Sequence, residues 1–251
     1  RSILCLDDLV QGFMQSISDC LATGKLTSFK IGVAYRRGLD FAEATRHEAE
    51  QAFSRMMNVE VDTTIDTGTR VQSRRSSAEM RPLQDYLTHA FVRRAAEEDL
   101  PIQVHTGYLA GTHKMMSNIN PMQLVPLLLR YPGVRFDLFH AGWPYHHEAG
   151  VLGKNFPNVW LNLCWAWTMN PATMEDALDA WLDGVPHVKI FGFGSDTTNP
   201  MCVYGYAMQA REGIARVLER RIERGDMDET LAEDVARAIM LENGLEFHRL
   251  S

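Results

Sequence analysis

Two histidines and one aspartate carry the strongest chemical signal in this chain. They fall in Ile102-Gln103-Val104-His105-Thr106-Gly107, in Phe136-Asp137-Leu138-Phe139-His140-Ala141-Gly142 and in Ile190-Phe191-Gly192-Phe193-Gly194-Ser195-Asp196. Each is a short apolar run that ends in a polar residue. Imidazole nitrogen and carboxylate oxygen are donors that a divalent ion such as zinc accepts. Glycine follows each histidine closely and precedes the aspartate, so the backbone can turn sharply there. Taken singly, a histidine at a strand end is more often structural, and Gly-Ser-Asp is a common turn or helix cap. Recurrence at three strand ends points to a shared site.

Other candidates are weaker. Lys30 lies inside the apolar run Phe29-Lys30-Ile31, where it either snorkels to water or enters a site. Tyr35, Arg36 and Arg37 follow it; an arginine there could bind a substrate carboxylate or remain a solvated loop charge. Trp143, Tyr145, His146 and His147 follow His140, and Trp165 and Trp167 follow Leu161-Asn162-Leu163. These rings either wall a pocket or pack loops against the rim. His113 and Lys114 could face substrate, though an exposed loop is the plainer reading. Met56-Met57 and Met115-Met116 read as packing residues.

The elements that must position these residues alternate. Apolar spacing predicts a helix over 6–21, a strand over 28–35 and a helix over 41–57. Residues 58–77 are polar and read as loop, or as the start of the next helix. That helix holds Leu83, Leu87, Phe91 and Ala95, with Pro82 suited to its first turn. Strands are then predicted at 101–106, 134–140, 158–163 and 188–195, with helices at 121–131, 148–155 and 173–183 between them. Two helices, 203–224 and 228–243, close the chain. Strict alternation means a parallel sheet flanked by helices. In a parallel barrel the strand C-termini meet at one face, where active sites sit. His105, His140 and Asp196 would therefore converge.

Composition narrows the function classes. The chain has 251 residues, is 45% hydrophobic and carries a net charge of −7. That length and apolar content allow one sizeable core. The basic residues are scattered, so neither nucleic acid nor an anionic membrane is an expected partner. Apolar stretches such as 124–129 fall far short of the roughly 20 residues that span a bilayer, and no signal-peptide pattern opens the chain. Cys5, Cys20, Cys164 and Cys202 are dispersed and read as free thiols of a reducing compartment. The expectation is a cytoplasmic protein with a small-molecule substrate.

The ordered set of motifs resembles the amidohydrolase superfamily, in its amidohydrolase-2 branch. Gln103-Val104-His105-Thr106-Gly107, Phe139-His140-Ala141-Gly142-Trp143-Pro144 and Gly194-Ser195-Asp196 are similar to that branch's fifth, sixth and eighth strand ends. Phe29-Lys30-Ile31 with Ala34-Tyr35-Arg36 resembles the fourth strand of members related to domains fused to glutamine-synthetase-like proteins. Asn155-Phe156-Pro157-Asn158-Val159-Trp160 resembles the approach to the seventh strand, and Asn243-Gly244 the terminal Asn-Ala. The resemblance implies an α/β fold of (β/α)8 TIM-barrel type. It implies His105, His140 and Asp196 as metal ligands, with Lys30 bridging two metals only if carboxylated. Asp196 would also be the general base, with His140 activating water or polarising substrate. Tyr35, Arg36 and Trp143 would contact substrate. The implied reaction is attack of a metal-activated water, zinc being the expected ion, on a small amide, lactone or related molecule. A metal-dependent decarboxylase of the same superfamily is the alternative.

One departure is large. The family's first strand carries His-x-His, and no such pair occurs in this chain. Counted back from Asp196, the sequence starts just before the fourth strand. The expected structure is thus an incomplete barrel of about five strands in one domain over residues 1–251, and an inactive fragment is a further alternative. Bare strands near 28–35 and 188–195 would recruit another chain. We therefore expect association with a second copy, with exchange of the helix at 6–21 as one route, and weak metal binding. Light scattering at low micromolar concentration and zinc analysis check both; a monomer holding one tight zinc per chain refutes both.

Overall fold

The computed structural model describes residues 3–57 and 77–250. Most of the stretch read as loop, residues 58–76, lies outside them. Contacts divide the chain into two compact units, residues 1–26 with 41–94, and residues 27–40 with 95–251.

The first unit is helical. Helix α1 is Leu6–Ala22, α2 is Arg46–Met57 and α3 is Ser77–Glu97. Leu6, Ala49, Ala52, Phe53 and Leu83 form its core. α2 begins later than the predicted residue 41. Thr45 and Glu48 make a reciprocal cap: the Glu48 carboxylate accepts from the Thr45 backbone, and the Glu48 N–H donates to the Thr45 hydroxyl. α3 begins earlier than predicted, so Pro82 lies inside the helix and not in its first turn.

The second unit holds one parallel sheet in the order β1-β2-β3-β4-β5. β1 is Phe29–Ile31, β2 Ile102–Val104, β3 Phe136–Leu138, β4 Val159–Asn162 and β5 Ile190–Phe191. The predicted strands are all present, but shorter. The first gives way at Val33–Tyr35 to a 3-10 turn, and the last is preceded by another at His187–Lys189. Helices follow as α4 (Val125–Arg130), α5 (His146–Asn155), α6 (Ala166–Met169), α7 (Pro171–Gly184), α8 (Pro200–Arg224), α9 (Glu229–Arg237) and α10 (Asn243–His248). Asparagines cap α7 and α8, starting both a few residues before their predicted spans: Asn170 accepts from the Thr173 N–H and Asn199 from the Met201 N–H. Among the described residues no helix is long and apolar enough to cross a membrane, and all four cysteines are free.

Period-2 alternation sorts each strand's faces. Ile102, Val104, Phe136, Leu138 and Leu161 are fully buried. Leu161 packs so closely on α5 that any Cβ at Gly153 would approach its methyl to 2.8 Å. The other face is polar on β1 to β3 and mixed on β4 and β5, where Trp160 and Phe191 share it with Asn162. Lys30, Gln103 and Asp137 are register partners across β1, β2 and β3. Asn162 on β4 donates to Asp137 Oδ2 at 3.0 Å. Asp137 Oδ1 has no hydrogen-bond partner among the described residues. Complete burial pushes the Asp137 carboxyl up to about 7, against the opposing pull of Asn162, Lys30 and Gln103.

The predicted helix over 228–243 is broken, for a physical reason. β5 is an edge strand and needs partners for its outward backbone groups. After α9 the chain widens into a π turn, Ala238–Glu242. There the Ile239 carbonyl accepts from the Gly192 N–H at 2.7 Å. The Asn243 side chain donates to the Ile190 carbonyl at 2.8 Å and to the His187 carbonyl at 2.7 Å. Phe247 of α10 then stacks on Trp160 and Phe191, with centroids 4.9 and 5.1 Å away. The edge expected to be bare near 188–195 is thus covered by the chain's own C-terminus.

Two tests follow. Asn243→Ala removes the side-chain donor from the Ile190 and His187 carbonyls, of which His187 keeps the Ile190 N–H, and should lower unfolding stability by about 1–3 kcal/mol, with faster amide exchange at Gly192; an unchanged urea midpoint refutes the edge-capping role. For Asp137, the folded pKa is raised from 3.8 to about 7. Its stabilising contribution is therefore complete below pH 3.8 and lost as pH rises through 7. Urea titrations at pH 4.5 and 7.5 should show the wild type losing stability over that window relative to Asp137→Asn. Parallel pH profiles for the two proteins refute a protonated Asp137.

Candidate active site

The strand ends bring the predicted residues together. His105 extends β2 by one residue, its N–H donating to the Ile31 carbonyl at 2.8 Å. The Thr106 hydroxyl donates to the Phe139 carbonyl at 2.7 Å, tying the ends of β2 and β3. At Gly107 φ is +71°, and a Cβ would sit 2.7 Å from the His140 carbonyl oxygen. Only glycine fits that crossing. Beyond it, His140, Ala141, Trp165 and Asp196 all adopt positive φ without being glycine. Such conformations cost roughly 1–3 kcal/mol each and cluster where function demands a particular side-chain direction.

The two imidazoles meet edge to face, with ring centroids 4.4 Å apart. His140 Nδ1 lies 2.8 Å from the Cys164 carbonyl, and His105 Nε2 lies 3.2 Å from the Tyr108 carbonyl. A carbonyl only accepts, so each of those nitrogens carries the proton. The remaining nitrogens, His140 Nε2 and His105 Nδ1, then face each other at 3.2 Å with lone pairs exposed. Burial, and for His105 next the Lys30 charge, push His105 down to about 4. Burial and the neighbouring His105 push His140 down to about 3. Both rings are neutral at physiological pH. Asp196 Oδ2 stands 3.6 Å from His140 Nε2, on a half-exposed side chain.

This donor set suits a cation. A separation near 3.2 Å is what two nitrogens show on one ion when each bond is about 2.0–2.1 Å. Backbone carbonyls orienting the far nitrogens are the usual support for ligating histidines. The set is partial: among the described residues no three His, Cys, Asp or Glu side chains are grouped to hold a metal.

The other predicted residues separate. Lys30 reaches solvent in part, but its ammonium sits 3.1 Å from the Phe139 ring centroid. Lost hydration lowers its pKa, and the Asp137 and Asp196 charges oppose this. Tyr35 lies against His105, with centroids 4.9 Å apart. Its hydroxyl accepts from the Ala110 N–H. Arg36 is exposed, whereas Arg37 turns inward to the Gly38 and Asp40 carbonyls. Trp143 stands 5.4 Å from Tyr108.

Sequence reasoning missed Gln103, Asp137 and Asn162 on the inner face, and Tyr108 at the rim. The first three were detectable: each is a polar residue at the alternate position between fully buried apolar ones. Tyr108 carried no signal for the contact its carbonyl makes with His105, because every residue has a carbonyl.

Comparison with known proteins agrees with this architecture. A family model described as Amidohydrolase matches residues 17–250. Protein fluG of Emericella nidulans is 26% identical over 247 residues, covering 96% of this chain and 28% of its own length. A solved structure described as that of a metal-dependent hydrolase from Lactobacillus casei superposes with a TM-score of 0.75 at 22% identity, over 96% of this chain and 60% of that one. Glucuronate isomerase from Caulobacter crescentus gives 0.71 at 16% identity, over 98% and 50%. The chain therefore spans under a third of its curated relative and about half to three-fifths of the solved chains. With the family match running over almost its whole length and the parallel sheet presenting histidines at consecutive strand ends, this chain belongs to the amidohydrolase family.

Proposed function

We propose that the chain forms the active-site half of a metal-dependent hydrolase acting on a small amide, lactone or related electrophile. The observation that carries this is the pair of neutral imidazoles. Each is pinned by a backbone carbonyl, their free nitrogens lie 3.2 Å apart, and the Asp196 carboxylate is 3.6 Å away. The relationship to a protein described as a metal-dependent hydrolase supports the same reading. His105, His140 and Asp196 would hold the ion. Once bound, a divalent cation supplies positive charge that acidifies a water and polarises a carbonyl.

The chain's own groups do the rest. Asp196 is open to solvent and can take a proton from the attacking water at Oδ2. It can then return that proton to the departing nitrogen or oxygen. His140 is fully buried, so its ring cannot drift from this position. The strained backbone at His140 and Asp196 aims both side chains at one point. Arg36 and Tyr35 lie on the rim, where a cation and a hydroxyl can orient substrate. The superfamily's decarboxylases share the fold and the same Asp196 position, so the two reactions are told apart by product: hydrolysis consumes water at a carbonyl, decarboxylation releases carbon dioxide.

Asp196→Asn should lower kcat on lactone or anilide substrates by about 10²–10⁴-fold while leaving the circular dichroism spectrum unchanged. Turnover equal to wild type removes Asp196 as the base.

A further inference from the structure

His140 is held by more than its own hydrogen bond. Its Nδ1–H donates to the Cys164 carbonyl at 2.8 Å. That carbonyl belongs to the peptide joining Cys164 to Trp165, whose N–H donates to the Gly194 carbonyl at 2.7 Å. One peptide plane therefore ties the histidine to the chain two residues before Asp196. Its direction matters. Turned over, the plane would present an N–H to a ring nitrogen that needs an acceptor.

The plane needs a restraint to keep that direction. Cys164 lies beyond the end of β4, outside the ladder. Trp165 sits at φ +62°, a conformation that large side chains rarely adopt. Asn162 supplies the restraint. Its Oδ1 accepts from the Cys164 N–H at 2.9 Å, and its Nδ2 donates to Asp137 Oδ2 at 3.0 Å. The side-chain amide is thus fixed at both ends, and Asp137 decides which end faces Cys164. Packing closes the other side, where a Cβ at Gly194 would come within 2.7 Å of Cys164 Sγ. Asp137, Asn162, Cys164 and His140 are all buried, so bulk water does not replace a lost partner.

We propose that Asn162 is a positioning residue of this site: by holding the Cys164–Trp165 peptide it keeps the His140 proton on Nδ1 and leaves the Nε2 lone pair facing His105 and Asp196. Without that restraint the proton moves to Nε2, where His105 Nδ1 and Asp196 Oδ2 stand 3.2 and 3.6 Å away as acceptors. The lone pair that the site offers is then lost. The proposal rests on placing the site at these strand ends, and not on hydrolysis or on a bound metal.

The test uses the chelator-treated chain with nitrogen-15 labelling, so it reads the resting site without turnover. Long-range proton–nitrogen NMR spectra report the His140 tautomer. Amide exchange at Trp165 reports the other face of the same peptide. The wild type should show the Nδ1–H form. Asn162→Leu removes both hydrogen bonds at similar volume. It should make Nε2–H the major form and speed exchange at Trp165 about tenfold. Asn162→Asp keeps an acceptor for the Cys164 N–H and should retain Nδ1–H. Leu128→Ala opens a cavity in the core away from this path and should leave the tautomer unchanged. Should Asn162→Leu fail to fold, Gly194→Ala reads the same peptide by pressing a methyl on Cys164, with Nε2–H again the expected major form. An Nδ1–H form that survives Asn162→Leu, or Gly194→Ala in its place, overturns the proposal. So does its loss in Asn162→Asp or in Leu128→Ala. If the tautomer shifts as expected while Asp196→Asn leaves turnover intact, the role of Asn162 stands and the hydrolase reading falls.

Discussion

Parallel strands leave backbone donors and acceptors at every sheet edge, and the way β5 satisfies its own shapes the C-terminal part of this chain. Among the described residues, the Gly192 N–H and the Ile190 carbonyl meet no sixth strand. They are met instead by a helix carbonyl and an asparagine side chain. For Ile239 to offer its carbonyl outward, the helix must loosen, which is what a π turn does. The same detour swings Phe247 onto Trp160 and Phe191. One unmet pair of backbone groups thus accounts for the break between α9 and α10 and for the aromatic layer beneath β4 and β5.

The edge matters to the site because β5 leads into Asp196. The Gly192 carbonyl is itself taken by the Trp167 indole N–H at 2.8 Å. Both backbone groups of Gly192 are thereby fixed four residues ahead of the carboxylate. On the opposite side the His140 ring is anchored by Cys164, at the end of β4. The histidine pair and the aspartate are therefore braced through neighbouring strands as well as by their own approaches of 3.2 and 3.6 Å.

Electrostatics on the inner face follow burial more than pairing. Asp137 is pushed up, His105 and His140 are pushed down, and the Cys164 thiol is pushed up to about 12, each chiefly by loss of water. The result is an inner wall whose imidazoles and thiol are neutral and whose Asp137 carboxyl titrates near neutral pH. Lys30 and Asp196 keep contact with solvent and hold the charge. The charged groups of the site therefore sit where it meets water.

Much of this architecture was readable from residue order. Alternating apolar runs specify five parallel strands because a parallel sheet needs a crossover between neighbours. The endings His105, His140 and Asp196 mark one face because strand C-termini share it. What sequence could not specify depends on distance. Strands shrank to two to four residues, because pairing ends where a neighbour's backbone turns away, and only the fold locates that point. The helix over 228–243 broke because of an edge as far as 53 residues away in sequence, which no local propensity records. The convergence of Tyr108, Trp143 and Trp165 came from three separate loops, two with an aromatic that sequence left ambiguous and one, Tyr108, that it did not single out. Local pattern determined which residues face inward and at which end of the sheet. Tertiary structure decided which of them touch, because contact requires the loops, the caps and the β5 edge to be satisfied at once.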